Sequence, residues 1–143
     1  MPRRVLVALV AIVAMLTLSA TAADASTAVK IARIHYAQTG TSLNTEYIVF
    51  KNTTAKSRSI GGWKIISAPS TDNQYYVFPK TTIPAGGTVT LYTGSGTNSP
   101  GKRYWHASGP RWNNDGDKAV LKNGYGTTVD TCQYAGGGTT AYC

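Results

Sequence analysis

The densest chemistry in the chain lies in one short stretch. Lys102, Arg103, Tyr104, Trp105 and Arg111 fall between Gly94 and Asn114, in a segment that is otherwise polar and glycine-rich, and Trp112 follows directly. Cations interleaved with large rings bind in two ways. The charges attract polyanions and release counterions, which makes binding salt-dependent. The ring faces stack on sugars or bases, and that contribution survives salt better. The stretch therefore predicts a ligand site for an anionic cell-surface polymer, a polysaccharide or a protein. The competing reading places Trp112 in the core and uses Trp105 to cover one end of the fold.

Catalytic groupings are hard to assemble from the rest. His35 and His106 are the two imidazoles, and neither sits in a nucleophile motif; Gly94-Ser95-Gly96 is turn-like and lacks the G-x-S-x-G elbow. Beyond the leader, the acids are Glu46, Asp72, Asp115, Asp117 and Asp130. Asp115 and Asp117 share one turn, where carboxylates commonly cap backbone amides. Asn113-Asn114-Asp115-Gly116-Asp117 resembles a calcium loop but lacks the later glutamate and the flanking helices. No phosphate-cradling G-x-x-x-x-G-K-[ST] occurs. The reading is a non-enzyme without cofactor or metal. A small secreted hydrolase, or an accessory domain for carbohydrate or nucleic acid, is the alternative.

The elements that must position these residues belong to an exported chain. Arg3 and Arg4 precede an apolar run from Val5 to Leu16, and Ala23-Asp24-Ala25 fits a small-residue cleavage site before Ser26. This is the three-part pattern of a signal peptide, too short for a comfortable membrane span. The expected organisation is a leader over 1–25 and one domain over 26–143. Cleavage would remove Arg3, Arg4 and Asp24, leaving 12 basic and 5 acidic residues and a net charge of +7. Cys132 and Cys143 are the two cysteines, and an even count in an exported chain implies a disulfide. Closing that loop stabilises the fold by up to ~3 kcal/mol in the chain-entropy account.

The domain reads as all-β. Short β-branched and aromatic runs alternate with Gly, Pro, Asn and Ser. The expected strands are Val29 to Tyr36, Glu46 to Asn52, Ile60 to Ser67, Tyr75 to Phe78, Thr88 to Tyr92, Lys118 to Lys122 and Thr128 to Tyr134. The apolar parity shifts between Ile31 and Ile34, which predicts a bulge. Gly94 to Asn114 reads as a long loop, Asn123-Gly124 as the positive-φ turn of a hairpin, and Gly136-Gly137-Gly138 as a loosened tail. About seven short strands at this spacing predict a β-sandwich of immunoglobulin-like outline.

Five segments in order then resemble the lamin-tail domain family. They are Ile31 with Ile34, Glu46-Tyr47-Ile48-Val49-Phe50-Lys51-Asn52, Ile60-Gly61-Gly62-Trp63-Lys64-Ile65, Ile83 to Leu91, and Trp112 to Asp117 with Leu121, Gly126, Val129 and Asp130. The resemblance implies an immunoglobulin-like fold with no shared catalytic residues, and a secreted binding or structural module. The cysteine pair departs from the filament members, and no coiled-coil rod is present. Each motif residue also has a physical role. Trp63 is expected to fill the gap between sheets. Asn52 and Asp117 are placed to bond turn amides, and Gly116 and Gly126 to supply positive φ.

Overall fold

Alternating β-branched and polar residues lay down two sheets whose apolar faces meet. The computed structural model describes residues 28–68 and 74–143. The expected leader with its cleavage after Ala25, and Asp72, lie outside the described residues. In chain order the strands are β1 (Val29–His35), β2 (Tyr47–Asn52), β3 (Arg58–Ser59), β4 (Lys64–Ala68), β5 (Tyr75–Val77) and β6 (Thr82–Ile83). They continue as β7 (Thr88–Tyr92), β8 (Lys102–Tyr104), β9 (Asp117–Lys122), β10 (Thr128–Tyr134) and β11 (Thr140–Tyr142). The first sheet has the order β11-β1-β2-β7-β8, the second β10-β9-β4-β5, and β3 pairs with β6 beside them. The expected immunoglobulin-like β-sandwich is the observed architecture.

Ile31, Ile34, Ile48, Phe50, Val89 and Leu91 face inward from the first sheet and meet Ile65, Ala119, Leu121 and Cys132 from the second. Phe50 and Phe78 pack edge to face at 5.1 Å, an arrangement that matches a ring's positive edge to its partner's negative face. The large plug of this core is Trp112, only 1% exposed. Trp63, expected in that role, is half-buried and packs at the margin of the core. It follows directly on the Gly61-Gly62 turn, before β4 begins, and so stands at the end of the interface rather than between the sheets.

The β1 bulge is real. Register shifts between Ile31 and Arg33, so two isoleucines three positions apart both point inward. The Ile31 N–H, on the bulged strand, donates to Asp130 Oδ2 at 2.8 Å, linking β1 to β10 across the sandwich. Asn52 and Asp117 bond turn backbone as expected: Asn52 Oδ1 accepts from Thr54 N–H at 3.0 Å, and Asp117 Oδ2 accepts from Asn113 N–H at 3.3 Å. Gly116 and Gly126 take positive φ, 127° and 83°.

Three expectations change. The segment 94–114 is not one loop, because Lys102–Tyr104 pairs in parallel with β7. The β9–β10 hairpin turns with positive φ at Gly126 rather than at Asn123 or Gly124; Asn123 Oδ1 instead accepts from the amides of Tyr125 and Thr127, both at 3.0 Å. The tail is not loose. Gly136 and Gly137, with φ of 79° and 80°, turn the chain back so that β11 pairs with β1. Cys132 and Cys143 are bonded, Cα–Cα 5.7 Å apart. Since Cys132 lies on β10 and Cys143 follows β11, the bond joins the two sheets.

Candidate functional site

The five residues singled out by sequence are sent to different places by the alternation of β8. Lys102 points outward and is exposed, Arg103 points inward and is buried, and Tyr104 points outward again, half-buried. Trp105 packs against the core, 5.8 Å from the Tyr76 ring and 6.3 Å from the Trp112 ring. The Arg111 guanidinium lies 5.8 Å from the Trp105 ring centroid. Lys102 and Tyr104 therefore share a face, while Arg103, Trp105 and Arg111 do not join them.

Arg111 is instead positioned by a buried acid. Its backbone N–H donates to Glu46 Oε1 at 2.7 Å, and the Thr93 hydroxyl donates to the same oxygen at 2.7 Å. Glu46 Oε2 is buried without a partner. Burial pushes the Glu46 carboxyl above the usual carboxylate range, against the hydrogen bonds from Thr93 and the amides of Arg111 and Trp112. This acid anchors the loop that carries Trp112 into the core.

The arrangement with the most chemistry is one that the linear sequence hides. Strand register places His35, Tyr47, Tyr92 and Tyr104 side by side across β1, β2, β7 and β8. His35 stacks on Tyr47 at 5.1 Å and 12°, and Tyr92 on Tyr104 at 5.2 Å and 20°. Tyr47 and Tyr92 meet at 5.8 Å, tilted by 55°. His106 extends the row beyond Tyr104 at 6.4 Å, held in a left-handed backbone conformation with φ 57°. At the usual strand spacing, four rings in register span about 15 Å.

Two cationic rows run alongside. Arg33, Val49, Thr90 and Lys102 are in register, as are Lys30, Lys51 and Thr88. The Arg33 guanidinium sits 5.9 Å from the Tyr47 ring centroid. Among the described residues, no acid lies in these rows. Side chains on a sheet stand roughly perpendicular to it. Rings stacked on their neighbours then turn edges and hydroxyls toward solvent, and ring edges carry the positive end of the quadrupole. Together with Lys30, Arg33, Lys51 and Lys102, the face is suited to anionic groups and to sugar hydroxyls. Only Lys102 and Tyr104 of this face were singled out from sequence. The remaining signal was weak: the outward positions of β2 and β7 nearest their shared end are both tyrosine.

The histidines lie at opposite ends of the row, and His35 Nδ1 is buried without a hydrogen-bond partner. Among the described residues, no group of three or more His, Cys, Asp or Glu side chains is placed to hold a metal ion, and no helix is long and apolar enough to cross a membrane.

Two sheets packed face to face around one tryptophan-plugged core define an immunoglobulin-like β-sandwich domain. The sequence model of the Lamin Tail Domain matches residues 22–136, and the chain belongs to that family. Its members are immunoglobulin-like domains, usually non-catalytic. No curated protein is significantly similar to the chain.

Proposed function

We propose that the chain is an exported, non-catalytic module that binds an anionic polymer across the outer face of the first sheet. The observation that carries this reading is the registered array itself: a row of four stacked or tilted rings flanked by Lys30, Arg33, Lys51 and Lys102. The signal-type leader and the Cys132–Cys143 bond support an extracellular setting. The net charge of +7 that remains without the leader favours encounter with polyanions at long range. Of the residues first singled out by sequence, Lys102 and Tyr104 belong to this surface. Trp105 and Arg111 support the core beneath its edge.

The test is binding of purified protein to heparin fragments and to polyuridylate over a salt series. Four phosphate contacts on a single strand give a slope of log affinity against log salt of about −3. Replacing Lys30 and Lys51 by Ala should reduce that slope by about half. No binding of either polymer at low salt, or a slope unchanged in the double variant, would overturn the proposal.

A further inference from the structure

Arg103 leaves β8 on the side opposite the aromatic row and is 9% exposed. Its Nε donates to Thr81 Oγ1 at 2.9 Å. Nη1 donates to the carbonyls of Ser99 at 2.5 Å and Lys102 at 2.7 Å, and Nη2 to the carbonyl of Lys80 at 3.3 Å. Every one of these partners is neutral. Guanidinium carries five N–H donors, so among the described residues one donor on Nη2 remains unspent. A desolvated positive charge is costly without a counter-charge, and neutral dipoles only partly offset that cost.

What adjoins the guanidinium is an open cleft of about 530 Å³, lined by Arg103, Lys80, Thr82, Asn98 and Ser99 among others. Lys80 is exposed and brings a second positive charge to its rim. Among the described residues, no acid lines the cleft. Two cations of opposite mobility, one fixed and one free, therefore line a cleft to which the described residues bring no acidic side chain.

We propose that this cleft is an oxyanion site, holding a carboxylate or phosphate group between Arg103 Nη2 and the Lys80 ammonium, with the hydroxyls of Thr82 and Ser99 as neutral donors. Arg103 supplies the fixed planar donor and Lys80 a mobile point charge, the usual division between the two residue types. The site is separate from the polymer face, because Arg103 and Lys102 point to opposite sides of β8.

The experiment is an NMR titration of the purified, disulfide-bonded protein with sodium phosphate and, separately, sodium acetate, at ionic strength held constant with sodium chloride. The expected result is saturable shifts of the Lys80, Thr82 and Ser99 amides and of the Arg103 Nε–H signal. The anion that saturates them identifies the group bound. Lys80→Ala, a surface change that leaves the fold intact, should weaken binding about threefold or more, in line with loss of one exposed charge contact. Lys30→Ala with Lys51→Ala should leave it unchanged. Shifts that grow without saturating, that chloride reproduces, or that Lys80→Ala does not weaken would overturn the proposal. So would loss of phosphate binding in the Lys30 and Lys51 variant alone.

Discussion

The two outward faces of this sandwich use similar residues to different effect. On the first sheet, register sets His35, Tyr47, Tyr92 and Tyr104 in adjacent strands, with Arg33 and Lys102 in the next row. On the second, Tyr75 lies beside Ile66 and Val120, and Val77 beside Lys64 and Lys122. Tyr75 and Val77 are 50% and 45% exposed, and the Lys64 ammonium is already placed 4.3 Å above the Tyr75 ring. The second face is thus a mixed surface of the kind single exposed apolar residues normally make. Composition alone does not separate the two. The difference is which side chains register sets opposite one another, four rings on the first face and one ring beside two aliphatics on the second, since cross-strand pairs are the unit from which a sheet surface is built.

That contrast can be attacked at several depths. The deepest is the plug both faces share. Trp112→Ala should cost about 3–5 kcal/mol, measured by urea melts, and should degrade both faces together; a loss under ~1 kcal/mol would mean that the sheets are held by other contacts. Next is the bond between the sheets. Reducing Cys132–Cys143 should cost up to ~3 kcal/mol. Hydrogen exchange should then rise first in β11 and in β1, leaving the β4–β9 pairing protected. Equal deprotection of both sheets would contradict the view that β11 depends on the bond while the second sheet does not.

The faces themselves are compared by removing rings. Tyr47→Ala or Tyr92→Ala should weaken polyuridylate binding by about 0.5–1.5 kcal/mol, the worth of one hydrogen bond from the outward hydroxyl edge, even at high salt. Tyr75→Ala should leave it unchanged, and an equal loss from Tyr75→Ala would erase the distinction. The smallest effect lies under the first face. Burial raises the Glu46 pKa, so folding favours its protonated form. Stability from this group is fully present below the unfolded carboxylate range and falls as pH rises through the higher folded value. Glu46→Gln should flatten the decline of urea midpoints as pH rises above the unfolded carboxylate range. A variant with the slope of the parent would assign that dependence elsewhere.

Much of the framework was readable from residues alone. β7 and β10 have the bounds that their runs predicted, Thr88–Tyr92 and Thr128–Tyr134. The parity break at Ile31 and Ile34 marked the bulge, and the ordered motifs pointed to the family. The missed elements depend on partners far away in sequence. β8 is three residues, Lys-Arg-Tyr, whose extended form comes from parallel pairing with β7. β11 follows a glycine run and exists because β1 offers it an edge. The competing reading did place Trp112 in the core, but its rank above Trp63 as plug was not visible, because Trp112 enters from a loop fixed by the buried Glu46 and no periodicity records that. The candidate face was the least legible feature, since its rings lie on four strands and meet only through register.

The placement of β11 also bears on how the molecule keeps its own company. A strand edge with free amides and carbonyls is a template for pairing with another copy. With β11 in place, the Arg33-to-His35 end of β1 is covered, and the opposite margin of the sheet ends in the three-residue β8. Cys143 fastens that cover to the other sheet through Cys132. The oxidised protein therefore keeps that end of β1 paired within its own chain, and a reducing milieu would free it as a template for another copy.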